Sequence, residues 1–314
     1  LAPAAFAACE LQKVAEYPIV MEGYRPLVPG LIDGKPVKFL LDTGSEATVI
    51  TRVAVKRLGL KSAPLHRAIF YGVGGADYAD ETTIHEMKLG DATARDVTMF
   101  VVGSKDGDED GLLGENFLSH ADLEMDWAHG AIRFIHPQGC SGDQVVYWGQ
   151  AYSATALEST GDRPVLEVYV ELNGRRLLAE IDSGASRSIV TPTGARRAGF
   201  AFNAVSDDSV HGIGGAKVST AMGLFQSFKI GDETIKNVRL TIGDIFGQDT
   251  EVGTGSHISA PVDDFPDMLL GADFLRAHRV YVAHSQGKLY FSYLGGPIFQ
   301  IEQSPASKPA APKP

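Results

Sequence analysis

Four short segments in the first half of this 314-residue chain return, in the same order, in the second half. Leu40-Leu41-Asp42-Thr43-Gly44-Ser45 returns as Glu180-Ile181-Asp182-Ser183-Gly184-Ala185, each copy running from an apolar segment into a Gly turn. Tyr71-Gly72-Val73-Gly74-Gly75 returns as His211-Gly212-Ile213-Gly214-Gly215, at the same offset from its Asp. Met87-Lys88-Leu89-Gly90-Asp91 matches Phe228-Lys229-Ile230-Gly231-Asp232, and Leu112-Leu113-Gly114-Glu115-Asn116-Phe117-Leu118 matches Leu269-Leu270-Gly271-Ala272-Asp273-Phe274-Leu275. The chain is therefore a tandem duplication, and both halves must reach the same fold. After the second Gly-Asp the offset grows by about sixteen residues, which places an insertion over 243–265.

Each copy reads as mostly β. The apolar runs 37–41 and 177–181 are too short for helices, and each follows a hairpin signal, Asp33-Gly34 or Asn173-Gly174. Residues 165–172 alternate as a half-buried strand should, and 132–135 and 289–291 close the halves with short apolar strands. Helical pattern is confined to 52–58, 193–198, 115–120 and 273–277. Many short strands with few short helices predict an all-β class, one closed or sandwiched fold per half. With 44% hydrophobic residues the chain can build two real cores. The expected boundaries are a leader over 1–16, a first lobe over 17–136, a linker over 137–160, a second lobe over 161–295, and a disordered Pro/Ala-rich tail over 296–314.

The chemistry follows from the repeated turn. An Asp at a strand end, followed by Thr or Ser and then Gly, projects its carboxyl from a loop that can approach another backbone closely. Two such loops meeting at a pseudo-twofold axis bring Asp42 and Asp182 together, and paired carboxyls so close share one proton. One then accepts a proton from water while the other donates to a carbonyl oxygen. The Gly-rich segments, Gly72 to Gly75 and Gly212 to Gly215, read as hairpin tips able to close over an extended peptide.

Asp-Thr/Ser-Gly, a Gly-rich flap and Leu-Leu-Gly before a short helix, each present twice, resemble the retropepsin family of aspartic proteases. The chain resembles the bacterial, often periplasmic, members with two such domains in one chain. The resemblance implies a small β lobe per half, a peptide held extended beneath the flaps, and a single-chain pseudo-dimer. It implies catalytic roles for Asp42 and Asp182, loop interlock by Thr43 and Ser183, and support from Gly44, Ser45, Gly184 and Ala185. It further implies substrate contacts from Tyr71 to Gly75 and His211 to Gly215, with Leu112-Leu113-Gly114 and Leu269-Leu270-Gly271 packing the loops from behind. The viral members' Arg after the last Gly is absent, since Glu115 and Ala272 stand there. Ser45 against Ala185 makes the site lopsided, and a Ser45 hydroxyl donating to Asp42 would place the negative charge on Asp42.

Other chemistries find little support. The formal charge of -11 argues against nucleic acid or an anionic membrane as partner. Asp106, Asp108 and Asp110 open like a calcium loop, but the closing Glu would fall at Phe117. His85-Glu86 lacks a second zinc-binding His, and no phosphate loop or complete dinucleotide fingerprint is present. No metal and no cofactor are implied, and no apolar run approaches the length of a spanning helix. The Ala-rich start, ending Ala7-Ala8-Cys9, resembles the end of a secretory signal; a lipid anchor on Cys9 and a plain disordered leader are the alternatives. Cys9 and Cys140 bracket the first half, so a disulfide between them is expected if the chain works in a periplasmic or extracellular space. The predicted function is an aspartic endopeptidase acting as a monomer on protein or peptide substrate. A non-catalytic peptide-binding scaffold and a protease active only as an intermolecular dimer remain as alternatives.

Overall fold

The computed structural model describes residues 9–73, 75–103, 109–158, 164–200, 209–210, 217–246 and 265–300. About 57% of it is strand and 11% helix. In the first half, eight strands run in the order Val20–Glu22, Arg25–Ile32, Lys35–Leu41, Gly111–Leu113, Val49–Thr51, Ala92–Val102, Gly75–Leu89 and Ser62–Gly72, and Arg25–Ile32 also pairs with Gly75–Leu89. In the second half the order repeats, as Glu167–Leu172, Arg175–Ile181, Met268–Leu270, Ile189–Val190, Glu233–Gly243, Val218–Ile230 and Ser209–Val210. The duplication read from the sequence is thus a duplication of topology.

Local chemistry explains the entry into each Asp loop. Asp33 and Gly34 have φ of 47° and 76°, and Asn173 and Gly174 have φ of 52° and 72°. Two consecutive left-handed residues match the twist of the flanking strands, so each hairpin delivers its second strand in fixed register. Asn173 adds a side-chain bond, its Oδ1 accepting the Gln226 N–H at 2.7 Å. Gly111–Leu113 then slots parallel to Lys35–Leu41 and antiparallel to Val49–Thr51, and Met268–Leu270 does the same in the second half. The Leu-Leu pairs in these inserted strands are buried, which is why both positions must be apolar.

A third sheet joins the halves. Its six strands run Glu10–Pro18, Ala131–Gln138, Asp122–Asp126, His278–Ala283, Lys288–Tyr293 and Ser153–Ala156. The seam is the antiparallel pair of Asp122–Asp126 with His278–Ala283, one strand from each half. Glu124, on that seam, is fully buried and accepts hydrogen bonds from Arg279 Nε and the Tyr147 hydroxyl, both at 2.6 Å, and from Arg133 Nη1 at 3.2 Å. Burying a carboxyl group costs its hydration, which these donors replace, and they come from both halves.

The structure revises three sequence expectations. The segment assigned to a leader holds the strand Glu10–Pro18, because its partner Ala131–Gln138 lies more than a hundred residues away and leaves no local sign. The segment assigned to a linker contributes the strand Ser153–Ala156, paired with Lys288–Tyr293. The assigned tail begins inside the fold, since Phe299 is buried against Phe228 and Phe274. The expected Cys9–Cys140 disulfide is present, with a sequence separation of 131, joining the start of Glu10–Pro18 to the end of Ala131–Gln138. The expected helices appear as Arg52–Leu58, Glu115–Leu118, Pro192–Arg197 and Ala272–Leu275. Thr51 and Thr191 cap the two longer ones, their hydroxyl oxygens accepting the N–H of Ala54 and Gly194.

Candidate active site between the halves

The two Asp loops are clasped to each other through four reciprocal bonds. The Thr43 hydroxyl donates to the Ile181 carbonyl at 2.6 Å, and the Ser183 hydroxyl donates to the Leu41 carbonyl at 2.8 Å. Each hydroxyl oxygen also accepts the other residue's backbone N–H, at 3.0 Å for Ser183 N–H and 3.1 Å for Thr43 N–H. Thr43 and Ser183 are both fully buried. A hydroxyl is the one small group that donates and accepts at once, which is why Thr and Ser, and not Val or Ala, occupy these positions.

The clasp brings the backbones so near that only glycine fits after it. A Cβ on Gly44 would lie 2.7 Å from the Asp182 carboxyl carbon, and one on Gly184 would lie 2.5 Å from that of Asp42. The loops are closed from behind in matching fashion. Asp42 N–H donates to Leu113 O and Asp182 N–H to Leu270 O, both at 3.0 Å, while Glu115 N–H reaches Ser45 O and Ala272 N–H reaches Ala185 O, both at 2.8 Å. A side chain on Gly114 or Gly271 would collide with the Ala47 or Arg187 backbone. The expected packing role of the Leu-Leu-Gly segments is met by these contacts.

The Asp42 and Asp182 carboxyls hydrogen-bond to each other, and both residues keep some surface open to the cleft. Burial of the carboxyl group holds Asp42 well above the usual carboxylate range, and the adjoining Asp182 charge adds to this. Burial raises Asp182 as well, but the Ala185 N–H, the Asp42 carboxyl and the Gly184 N–H hold the rise down. The two carboxyls are thus a pair that cannot both be charged, with an additional backbone donor on the Asp182 side. The side-chain donor expected to favour charge on Asp42 is directed elsewhere. The Ser45 hydroxyl donates to the Ala47 carbonyl at 2.9 Å, not to Asp42, whereas the Ala185 N–H donates to Asp182 at 2.8 Å. Backbone geometry, not the side chain that differs between the halves, sets the asymmetry.

Beneath each loop a row of cross-strand partners shares one face of the sheet. In the first half the row is Leu27, Leu40, Leu112, Val49 and Phe100. Ala47 and Phe70 pack on it, making an apolar wall between the Asp42 loop and the flap hairpin. In the second half the same row reads Glu167, Glu180, Leu269, Ile189 and Thr241. Glu167 and Glu180 are buried, and the Glu180 charge contributes to the rise of Asp42. Sequence reading missed both, although Glu180 stands two residues before Asp182 where the first half has Leu40.

Of the two expected flaps, the first is the hairpin of Ser62–Gly72 with Gly75–Leu89, paired up to Gly72 and Gly75. Its tip residue Val73 packs against the cluster of Ile189, Ile245 and Leu269 in the opposite half, beside Ala185. Gly74 and the second tip, His211 to Gly215, lie outside the described residues, as does most of the 243–265 insertion. Cys9 and Cys140 are bonded to each other on the shared sheet rather than gathered into the site. Among the described residues no cluster of His, Cys, Asp and Glu is arranged to hold a metal ion. Asp106 and Asp108 of the calcium-like run lie outside the described residues, and the two carboxylate oxygens of Asp110 accept from the Lys38 N–H and Arg57.

The aspartyl protease family model matches residues 28–117 and 168–274. A retropepsin-like aspartic protease from Rickettsia conorii is similar in structure, at 18% identity and a TM-score of 0.28, over 41% of this chain and 95% of that one. An aspartic proteinase from Irpex lacteus aligns over 91% of this chain and 97% of its own, at 13% identity and a TM-score of 0.49. No curated protein matches the chain. The family match spans both Asp loops, both inserted Leu-Leu-Gly strands and the larger part of the sequence, and the chain belongs to the aspartyl protease family.

Proposed function

We propose that the protein is an aspartic endopeptidase whose single active site is shared by its two halves, with Asp42 and Asp182 acting together on one water. The observation that carries this reading is the reciprocal clasp of Thr43 and Ser183, which leaves the two carboxyls in hydrogen-bonding contact. Charged Asp182 takes a proton from the water as its oxygen attacks the peptide carbonyl carbon, and protonated Asp42 donates to the carbonyl oxygen. The tetrahedral diol then collapses. Asp182 gives its proton to the departing nitrogen, Asp42 recovers one from a diol hydroxyl, and the C–N bond breaks with the dyad restored. Thr43 and Ser183 hold the loops, and the first flap covers the cleft.

Two features support a working monomer. The Asp42 loop is already clasped by the Asp182 loop of the same chain, and the seam strands join both halves in one sheet. The disulfide supports an oxidising compartment, periplasmic or extracellular. No helix among the described residues is long and apolar enough to cross a membrane. The test is incubation of purified protein with a denatured protein mixture across acid to neutral pH, with new termini read by mass spectrometry. New termini that vanish with a pepstatin-type inhibitor are expected; binding of that inhibitor without any new termini would favour a peptide-binding scaffold instead.

A further inference from the structure

Arg52 occupies the first position of the helix Arg52–Leu58, which has no acidic residue in its first turn. A cation at a helix N-terminus lies at the wrong end of the helix dipole, so its placement there calls for another partner. That partner is the flap. Arg52 Nη1 lies 2.5 Å from Asp77 Oδ2, its Nη2 donates to the Tyr78 carbonyl, and its Nε is 3.7 Å from Asp80. The same Asp77 oxygen accepts the Gly103 N–H at 2.8 Å, and the Gly103 carbonyl accepts the Arg52 N–H at 3.3 Å. Helix start, strand end and flap therefore meet at one node. Asp77 lies only two residues past Gly75, paired with Phe70 across the hairpin, so the node grips the flap close to its tip.

Among the described residues the second half carries no such node. Pro192 occupies the first helical position there, and Lys217 to Ala221, the stretch corresponding to Asp77 through Asp80, contains no acid. A proline at that position is the ordinary choice, with no side-chain reach. Val73, at the tip of the first flap, packs on the apolar cluster of the opposite half. The flap thus spans the cleft, held close to its tip by its own half and resting at the tip itself on the other.

We infer that Arg52 is a positioning residue that holds the first flap across the cleft, where the flap grips substrate. The inference rests on the endopeptidase reading for the word substrate, but its anchoring half does not. An extended peptide entering the cleft meets a cover already close to its working position, so less ordering is left to be done on binding. Loss of the anchor then weakens binding of substrate and transition state alike, which appears in KM and not in kcat.

The test uses the full chain with Arg52→Gln, Arg52→Lys and Val73→Gly. Amide hydrogen exchange followed by mass spectrometry reads residues 62–89 and, as an internal check of folding, the shared sheet. With Arg52→Gln, flap exchange should quicken by about tenfold while the shared sheet is unchanged, and Arg52→Lys should recover part of the protection. Val73→Gly should also quicken exchange at the tip, by removing its seat. For cleavage of an internally quenched peptide, Arg52→Gln should raise KM by about fivefold with kcat within about twofold, and Arg52→Lys should lie between. Unchanged flap exchange in Arg52→Gln would overturn the anchoring, and faster exchange with an unmoved KM would overturn the gripping role. A wild-type chain that cleaves nothing would remove the peptidase reading and the gripping role together, and the exchange data would still decide the anchoring.

Discussion

At the residue scale the site depends on groups that are absent as much as on those present. Gly184 has a role because a methyl there would intrude on the Asp42 carboxyl. Gly184→Ala should keep the fold, shift the loop by a fraction of an ångström and lower kcat/KM by about a hundredfold, as misplaced catalytic groups do; near-normal turnover would mean the loops are not set so tightly. A second residue prediction concerns Glu115, buried directly behind the Asp42 loop, whose carboxyl is pushed up by burial to about 8. The unfolded chain releases this proton near the ordinary glutamate value of 4.5, while the folded protein retains it to about 8. Between those values the native state binds more protons, so the contribution of Glu115 to stability declines as pH rises through the window. Glu115→Gln should flatten the fall in melting temperature over that range, and an unaltered slope would assign the decline to other groups.

At the element scale the Asp loops, the inserted Leu-Leu-Gly strands and the short helices were legible in the sequence. Each is built from contacts within a few residues or marked by a repeated motif with its own turn chemistry. Asp33-Gly34 and Asn173-Gly174 demand left-handed φ whatever surrounds them. The shared sheet was not legible, because Glu10–Pro18 and Ala131–Gln138 pair across more than a hundred residues of intervening chain. The Ser45 hydroxyl was misassigned for a related reason: composition states that it can donate, and only the turn decides that Ala47 receives it. Buried Glu167 and Glu180 escaped because strand alternation does not reveal which carboxyls a second layer will cover. The disulfide closes the antiparallel pair that begins the shared sheet and restricts a loop spanning 131 positions. Its loss should lower unfolding free energy by up to about 4–5 kcal/mol. Denaturant unfolding of Cys9→Ala/Cys140→Ala measures this, and a change below about 1 kcal/mol would mean that the shared sheet holds its own edge strand without help.

At the scale of the whole molecule, the duplication explains why one chain can host a site that requires two equivalent loops. The Glu124 network and the seam pairing join the two halves in one sheet, which supports the proposed single-chain site. Duplication also frees the halves to diverge. Leu27 and Leu40 in one half correspond to Glu167 and Glu180 in the other, and Arg52, which holds the first flap, corresponds to Pro192. A peptide is itself directional, and a site with unlike walls can distinguish its two ends. All of this rests on Asp42 and Asp182 belonging to one site within one chain. The most direct measurement is turnover by Asp42→Asn, by Asp182→Asn and by an equimolar mixture of the two, with folding of each confirmed by its melting temperature. The account predicts that each variant loses activity by about a thousandfold or more and that mixing restores none. Near-normal turnover in either variant alone, or recovery on mixing, would contradict it.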